Sequence, residues 1–302
     1  MKIGEAETWL VKELRAIYEE PEAVAIAAMV LDPVTGFARS ERMLHTDEPL
    51  LVQQLHQLTE MHHRLLKHEP VQYILGIAHF YGLQLFVQPG VLIPRPETEE
   101  LVDWICKDVK ASGKDVFQKG NAKADETTLL KILDIGTGSG CIALALKKAL
   151  PKAEVWGCDV SDEALGIARR NGSELNIRAD FVGLDFLDEE QQKQLPTVDI
   201  IVSNPPYISI KDKDTMEQNV IAYEPHLALF VPDHDPLLFY KTIARFAEKR
   251  LYENGSIYAE IHEDYGNDVV QVFEKEGFEV EVRKDMQGKD RMIKAVRRNV
   301  DR

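Results

Sequence analysis

The stretch Lys131–Leu146, KILDIGTGSGCIALAL, decides how the chain folds. Apolar KILDI reads as a strand and CIALAL as the start of a helix, with three glycines at alternate positions between them. Gly136, Gly138 and Gly140 let the backbone turn tightly and approach a ligand where a Cβ would collide. The dinucleotide fingerprint G-x-G-x-x-G fails because Cys141 occupies its last position, and no Gly-Lys-Ser/Thr follows to make a phosphate loop. What remains is D-x-G-x-G-x-G from Asp134, with Asp159 ending the next strand. A carboxylate at the end of that strand accepts both ribose hydroxyls of an adenosine-type ligand. Asp134 is placed either to face a cationic ligand or to brace the loop.

Outward from this unit, strands and helices alternate. Strands over 129–135 and 153–160 are each followed by a helix, over 139–150 and 161–171. Strands over 179–183 and 198–203, a helix over 236–251, and strands over 255–261, 278–285 and 291–297 complete the chain. This alternation predicts a parallel sheet with helices on both faces, and ligands beyond the carboxyl ends of its strands. One such end carries IVSNPPYI, Ile201–Ile208. Pro205 and Pro206 cannot donate ladder hydrogen bonds, so the strand stops there. Asn204, before a proline, is held extended. The product is a stiff shelf offering an Asn side chain, bare carbonyls and the Tyr207 ring, suited to something flat and amide-like.

The 302 residues, 44% of them hydrophobic, suffice for a large domain with a smaller companion. Asp and Glu number 51 against 36 Lys and Arg, a net charge of −15, which argues against stable nucleic-acid binding and favours a basic protein partner. Cys106, Cys141 and Cys158 form no CxxC pair and read as buried structural thiols. The start MKIGEAETWL has no apolar signal core and no long apolar run follows, so the expectation is a cytoplasmic protein away from membranes.

Residues 1–70 read as a small helical recognition bundle. Trp9, Leu10, Leu14 and Ile17 recur at helical spacing, a second helix begins near Pro21, and a third runs over 47–67 with Leu51, Leu55, Leu58 and Leu65 inward. His56, His62, His63 and His68 gather no ligand set with a carboxylate, so they read as solvated surface residues and no metal site is expected. Residues 71–94 read as a β-hairpin linker turning at Tyr81-Gly82, and 95–302 as the α/β domain. A helix begins near Pro96 with acidic residues in its first turn, and 111–128 reads as a mobile surface loop.

The loop Asp134–Gly140 with Asp159 resembles the cofactor loop of class I S-adenosylmethionine-dependent methyltransferases. Asn204-Pro-Pro-Tyr207 resembles their amino-methylating signature, shared by enzymes acting on adenine, guanine and glutamine nitrogens. Phe80-Tyr-Gly, then PGVLIPRPETE over Pro89–Glu99, Glu224-Pro225 with Ala228-Leu229, and Gly288-Lys-Asp-Arg291 resemble the PrmC/HemK family of release-factor glutamine N5-methyltransferases. That resemblance runs from about Val71 to the C-terminus, and the family also has a helical N-terminal domain. It implies a Rossmann-like mixed sheet with a helical bundle joined by a hairpin, acting on peptide-chain release factors; a monomer is the expected state. S-adenosylmethionine would be held by Asp134, Gly136, Thr137, Gly138, Ser139, Gly140, Asp159, Val160, Asp185, Phe186 and Asn204. Asn204, Pro205 and Tyr207 would be catalytic, and Asn204, Pro205, Pro206, Tyr207, Arg95, Glu97 and Glu224 would bind substrate. Without the resemblance, Arg95 and Glu97 read as a helix cap and surface ion pair, and Glu224 as solvated.

The chain departs from the family in three places. Asp185-Phe186 stands where a tryptophan usually follows the aspartate, Glu260-Ile261-His262 where Glu-Ile-Gly is usual, and the 111–128 insert is long. Three other readings are a glutamine methyltransferase of a ribosomal protein, a nucleic-acid amino-methyltransferase using the shelf for a flipped base, and a non-catalytic binding module. Acidic composition argues against the nucleic-acid reading, and retention of both loop and shelf against the last.

Overall fold

A computed structural model of the chain describes residues 1–112 and 129–298, so most of the expected surface loop, 113–128, lies outside the described residues. Two compact units are present, residues 1–77 with 216–223, and residues 78–215 with 224–302.

The first unit is helical. Helices α1 (Ile3–Leu14), α2 (Glu20–Thr35) and α3 (Val52–Leu65) enclose a core of Leu10, Leu14, Ala27, Leu31, Leu58 and Leu65. Pro21 sits in the first turn of α2, where its missing N–H costs nothing, and Gly36 ends that helix in the left-handed region at φ 77°. Helix α3 starts at Val52, later than the expected Asp47, because Leu51 is extended and its N–H donates to Gln54 Oε1 at 2.8 Å. Leu51 therefore precedes the helix and is 65% exposed, and Leu55 lies at the edge of the buried stripe at 36%, against the inward placement expected of both. His62 corrects a second expectation. Four residues after Leu58 and three before Leu65, it falls in the buried stripe. It is 6% exposed, with its ring 4.7 Å from that of Trp9 and its pKa lowered by burial. Residues Val71–Leu75, expected within the β-rich linker, form a helical turn stopped by Gly76 at φ 69°.

The hairpin follows. Strands β1 (Ile77–Phe80) and β2 (Leu83–Phe86) are joined by Tyr81 and Gly82, both at positive φ (46° and 70°), the turn whose twist matches paired strands. Helix α4 (Pro96–Ala111) then begins as expected, with extended Arg95 before it and Glu97 and Glu99 in its first turn.

The main sheet has seven strands: β3 (Lys131–Ile135), β4 (Glu154–Asp159), β5 (Asp180–Gly183), β6 (Val198–Ser203), β7 (Leu251–Glu260), β8 (Phe278–Lys284) and β9 (Asp290–Arg297). Their spatial order is β8-β9-β7-β6-β3-β4-β5. The first five strands in chain order are parallel, with Ile132 opposite Ile200 and Ile135 opposite both Ser203 and Cys158. β9 runs antiparallel to both β8 and β7, which corrects the wholly parallel sheet that alternation predicts and agrees with the mixed sheet of the resemblance. The cause is the short link Asp285–Lys289. It closes a hairpin with Gly288 at φ 86°, whereas a parallel return would need a crossover of a dozen or more residues.

The pleat divides the sheet's side chains between two cores. Ile132, Ile200 and Val202 face α4 and α5 (Cys141–Ala149). Leu133, Ile135, Ile201 and Ile257 face α7 (Leu238–Arg250) and α8 (Gly266–Lys275), after α6 (Asp162–Glu174) has followed β4. Helix α8 had no counterpart in the sequence reading. Strand order reverses between β3 and β6, and their carboxyl ends flank the crevice this topology provides. Among the described residues no helix is long and apolar enough to cross a membrane.

Candidate active site

The glycine loop is fastened to the end of β4. Gly136 and Thr137 N–H groups donate to the Cys158 carbonyl at 2.9 and 3.0 Å, and Gly138 N–H donates to Asp159 Oδ2 at 2.9 Å. Gly136 and Gly138 lie at φ 72° and 52°, and a Cβ added to either would meet no protein atom within 4 Å. Both conditions favour glycine, and the open space is where a ligand fits. At Gly140, by contrast, a Cβ would lie 3.1 Å from Ala168 and 3.2 Å from Phe181, so this glycine serves helix packing.

A cavity of about 260 Å³ lies over the loop. Gly136, Gly138, Asp159, Val160, Asp185, Phe186 and the shelf residues Asn204, Pro205 and Pro206 line it, together with Gly90, Val91, Leu92, Pro225, Leu227 and Ala228. Asp159 accepts from Gly138 N–H through Oδ2 and from Ser161 N–H through Oδ1 at 3.0 Å. A carboxylate has about four acceptor positions, so two remain for a ligand's hydroxyls. Phe186 is 6% exposed and packs edge-on against Phe246 at 5.2 Å, which fixes its ring as an apolar wall.

The shelf completes the site. Ser203 Oγ donates to the Ile135 carbonyl at 2.8 Å, pinning the ends of β6 and β3 together at the switch in strand order. Asn204 Nδ2 donates to Thr98 Oγ1 at 3.1 Å, and Thr98 Oγ1 donates to Glu260 Oε2 at 2.6 Å. The Tyr207 hydroxyl donates to Glu260 Oε1 at 3.0 Å, and the Tyr240 hydroxyl to the Glu260 carbonyl at 2.9 Å. Burial pushes the Glu260 carboxyl upward against these donors and the Arg291 charge, and burial followed by Glu260 raises the Tyr207 hydroxyl.

Residues 5–76 match the family described as the PrmC N-terminal domain, and residues 122–227 the methyltransferase small domain. The chain is 42% identical to the release factor glutamine methyltransferase of Flavobacterium psychrophilum, over 97% of this chain and 99% of that one. It belongs to the release factor glutamine methyltransferase family. The family member from Bacteroides thetaiotaomicron is 41% identical over 95% of this chain and 97% of its own. The hMettl16 catalytic domain, solved with the MAT2A 3′UTR hairpin, shares the fold, with a TM-score of 0.52 and 17% identity over 73% of this chain and 77% of that one.

Several residues expected at the ligands of a release factor glutamine methyltransferase stand one layer back. Asp134 is fully buried, and its Oδ2 accepts from Thr137 Oγ1 at 2.6 Å and Ala143 N–H at 3.3 Å, so it braces the loop. It has the same pleat parity as Ile132, towards the α5 face. Thr137 and Ser139 are 3% and 2% exposed and, like Gly140, are not among the cavity's lining residues. Buried Glu224 also stands behind the surface, corrected from solvated. Its Oε1 accepts from Arg95 Nη2 at 2.5 Å and its Oε2 from Ile93 N–H at 3.1 Å, which ties the cavity wall at Val91-Leu92 to the one at Pro225. Glu97 faces Gln287 instead of the cavity, at 3.5 Å. Tyr207 is absent from the lining, its hydroxyl held by Glu260 and its ring edge-on to His262 at 5.9 Å. His262, where the family has glycine, shapes the next turn by accepting from Asp264 N–H at 3.2 Å.

Thr98, inside PGVLIPRPETE, carries no local signal that sequence reading could use. Sequence reading also missed Asn171, whose Nδ2 donates to the Phe86 and Ser139 carbonyls and whose Oδ1 accepts from Phe86 N–H, joining hairpin to glycine loop. A polar residue in the buried stripe of an amphipathic helix was the available signal for Asn171.

Proposed function

We propose that this methyltransferase moves the methyl group of S-adenosylmethionine to the side-chain amide nitrogen of the glutamine in the Gly-Gly-Gln motif of peptide-chain release factors. The observation that carries the reading is that one cavity is lined both by Gly136, Gly138 and Asp159 and by Asn204, Pro205 and Pro206. The cavity fits the cofactor: open space at two glycines, acceptor capacity on Asp159 for ribose, and apolar Phe186 beside Asp185 for the base. When bound, S-adenosylmethionine supplies a methyl already activated by its sulfonium.

The chain's task is alignment, because an amide nitrogen is a poor nucleophile whose lone pair is delocalised into its carbonyl. Asn204 Oδ1 and the Pro205 carbonyl each accept one N–H of the substrate carboxamide. Two acceptors fix the nitrogen, draw density towards it and aim its face into the cavity. The paired prolines keep the shelf from relaxing. The Tyr207 ring, anchored through its hydroxyl, closes the substrate side against water. The helical unit grips the release-factor body, and the enzyme acts in the cytoplasm as a monomer whose acidic surface suits a basic partner.

The test is incubation with methyl-labelled S-adenosylmethionine and purified release factor, followed by mapping of the labelled residue by mass spectrometry. Label on the Gly-Gly-Gln glutamine amide, lost in Asn204→Ala, is the expected result. Label confined to a ribosomal protein or to RNA would overturn the substrate.

A further inference from the structure

A carboxamide is nearly symmetric in shape, and turning it by 180° exchanges its acceptor for its donor. Glutamine methylation needs Asn204 to present oxygen, since the flipped amide would set N–H against the substrate's N–H. Something must choose between the two orientations. The backbone of the shelf does not, because it holds the Cβ and leaves the terminal amide torsion broad.

We infer that Thr98 and Glu260 are positioning residues, forming a directional hydrogen-bond relay that holds the Asn204 amide with Oδ1 towards the substrate. The inference rests on the methyltransferase reading above. Thr98 Oγ1 lies between two partners, 2.6 Å from Glu260 Oε2 and 3.1 Å from Asn204 Nδ2. A hydroxyl has one proton, and Thr98 Oγ1 gives it to Glu260 Oε2, the nearer of its two partners. The proton therefore points at Glu260 and a lone pair faces Asn204, which only the Nδ2 side of the amide can answer. Oδ1, on the other branch, is left for the substrate.

Glu260 is built to receive. It is 2% exposed, and Thr98 and Tyr207 donate to separate oxygens of its carboxylate. Burial raises its carboxyl, and the two donating hydroxyls and the Arg291 charge from β9 oppose that rise. Thr98 is also 2% exposed, and a buried hydroxyl and carboxylate in an apolar core are costly unless fully paired. The relay draws α4, β7 and the shelf together, so one carboxylate sets both the Asn204 amide and the Tyr207 ring.

The test compares Thr98→Val, Thr98→Ser, Glu260→Gln and the Thr98→Val/Glu260→Gln double variant in the full chain, each first shown to melt as a folded protein. Thr98→Val, nearly isosteric, is expected to lower kcat on the release factor roughly tenfold, with KM and S-adenosylmethionine affinity within about twofold. Thr98→Ser restores most of the rate. Glu260→Gln leaves one of two donating hydroxyls without an acceptor and lowers kcat similarly, and the double variant is no slower than the worse single one. A second measurement needs no substrate. In ¹⁵N-labelled protein the Asn204 side-chain amide signals, identified by their loss in Asn204→Asp, are expected to exchange slowly, and to exchange much faster in Thr98→Val. Unchanged kcat in Thr98→Val, or multiplicative losses in the double variant, would overturn the relay. If the wild type methylates no release factor, the functional reading fails. The exchange measurement then decides the relay alone, with equal Asn204 exchange in wild type and Thr98→Val overturning it.

Discussion

At the scale of single residues, Asp134 and Asp159 show one kind of side chain in two environments, near the carboxyl ends of neighbouring strands. Hydrogen bonding and cavity exposure suit Asp159 to a ligand, whereas Asp134 Oδ1 is buried without a hydrogen-bond partner. Burial raises the Asp134 carboxyl from 3.8 to about 7. A carboxyl raised on folding contributes stability fully below its unfolded pKa, and that stability is lost as pH rises through the folded value. Urea unfolding of wild type and Asp134→Asn should thus diverge between about pH 4 and pH 8, with the wild type losing up to about 4 kcal/mol relative to the variant. A constant difference across that window would show that Asp134 is not held neutral by the fold. For the shelf, the proposed alignment has Asn204→Ala remove one of two acceptors on the substrate nitrogen. Methyl transfer should fall by about 100-fold or more while calorimetric S-adenosylmethionine affinity changes only a few-fold.

At the scale of elements, the register of α3 and the geometry of the glycine loop carry separate consequences. Leu58 is fully buried on α3 and Leu51 stands outside it. Leu58→Ala should cost about 2–5 kcal/mol by cavity formation and Leu51→Ala about 0.5 kcal/mol or less, read by chemical denaturation. Equal costs would restore the longer helix that spacing predicts. Gly138 is left-handed and its missing Cβ points into open space. Gly138→Val should therefore weaken cofactor binding more than tenfold in calorimetry, with a stability loss of only about 1–2 kcal/mol.

At the scale of the whole molecule, a net charge of −15 favours the approach of a basic partner. Steering of a basic partner by an acidic surface is screened by salt and leaves the chemical step untouched. Raising ionic strength from about 50 mM to about 500 mM should raise KM for the release factor and leave saturated kcat unchanged. A KM indifferent to salt would mean that contact shape, and not charge, governs recognition.

Much of this was legible without coordinates, because local rules decide it. Val198–Ser203 ends where two prolines withdraw its donors, Pro96 opens a helix, Tyr81-Gly82 turns a hairpin, and the loop after β3 needs glycine at positive φ. Each rests on residues within a few positions of one another. Three other features depend on which surfaces the fold brings together. Position 62 is inside because α1 places Trp9 over it. Strand β9 runs antiparallel to its neighbours because a short link leaves no room for a crossover. Thr98, Asn204 and Glu260 meet across separations of 106 and 162 residues, and no local period announces a side-chain hydrogen bond. The sequence alone determined the strand–loop–helix unit and the proline shelf, through backbone preferences that act at short range. Tertiary structure alone decided which carboxylate lines the cavity and which accepts from Thr98 and Tyr207 beside the shelf, because burial and hydrogen-bond partners exist only once distant segments close on one another.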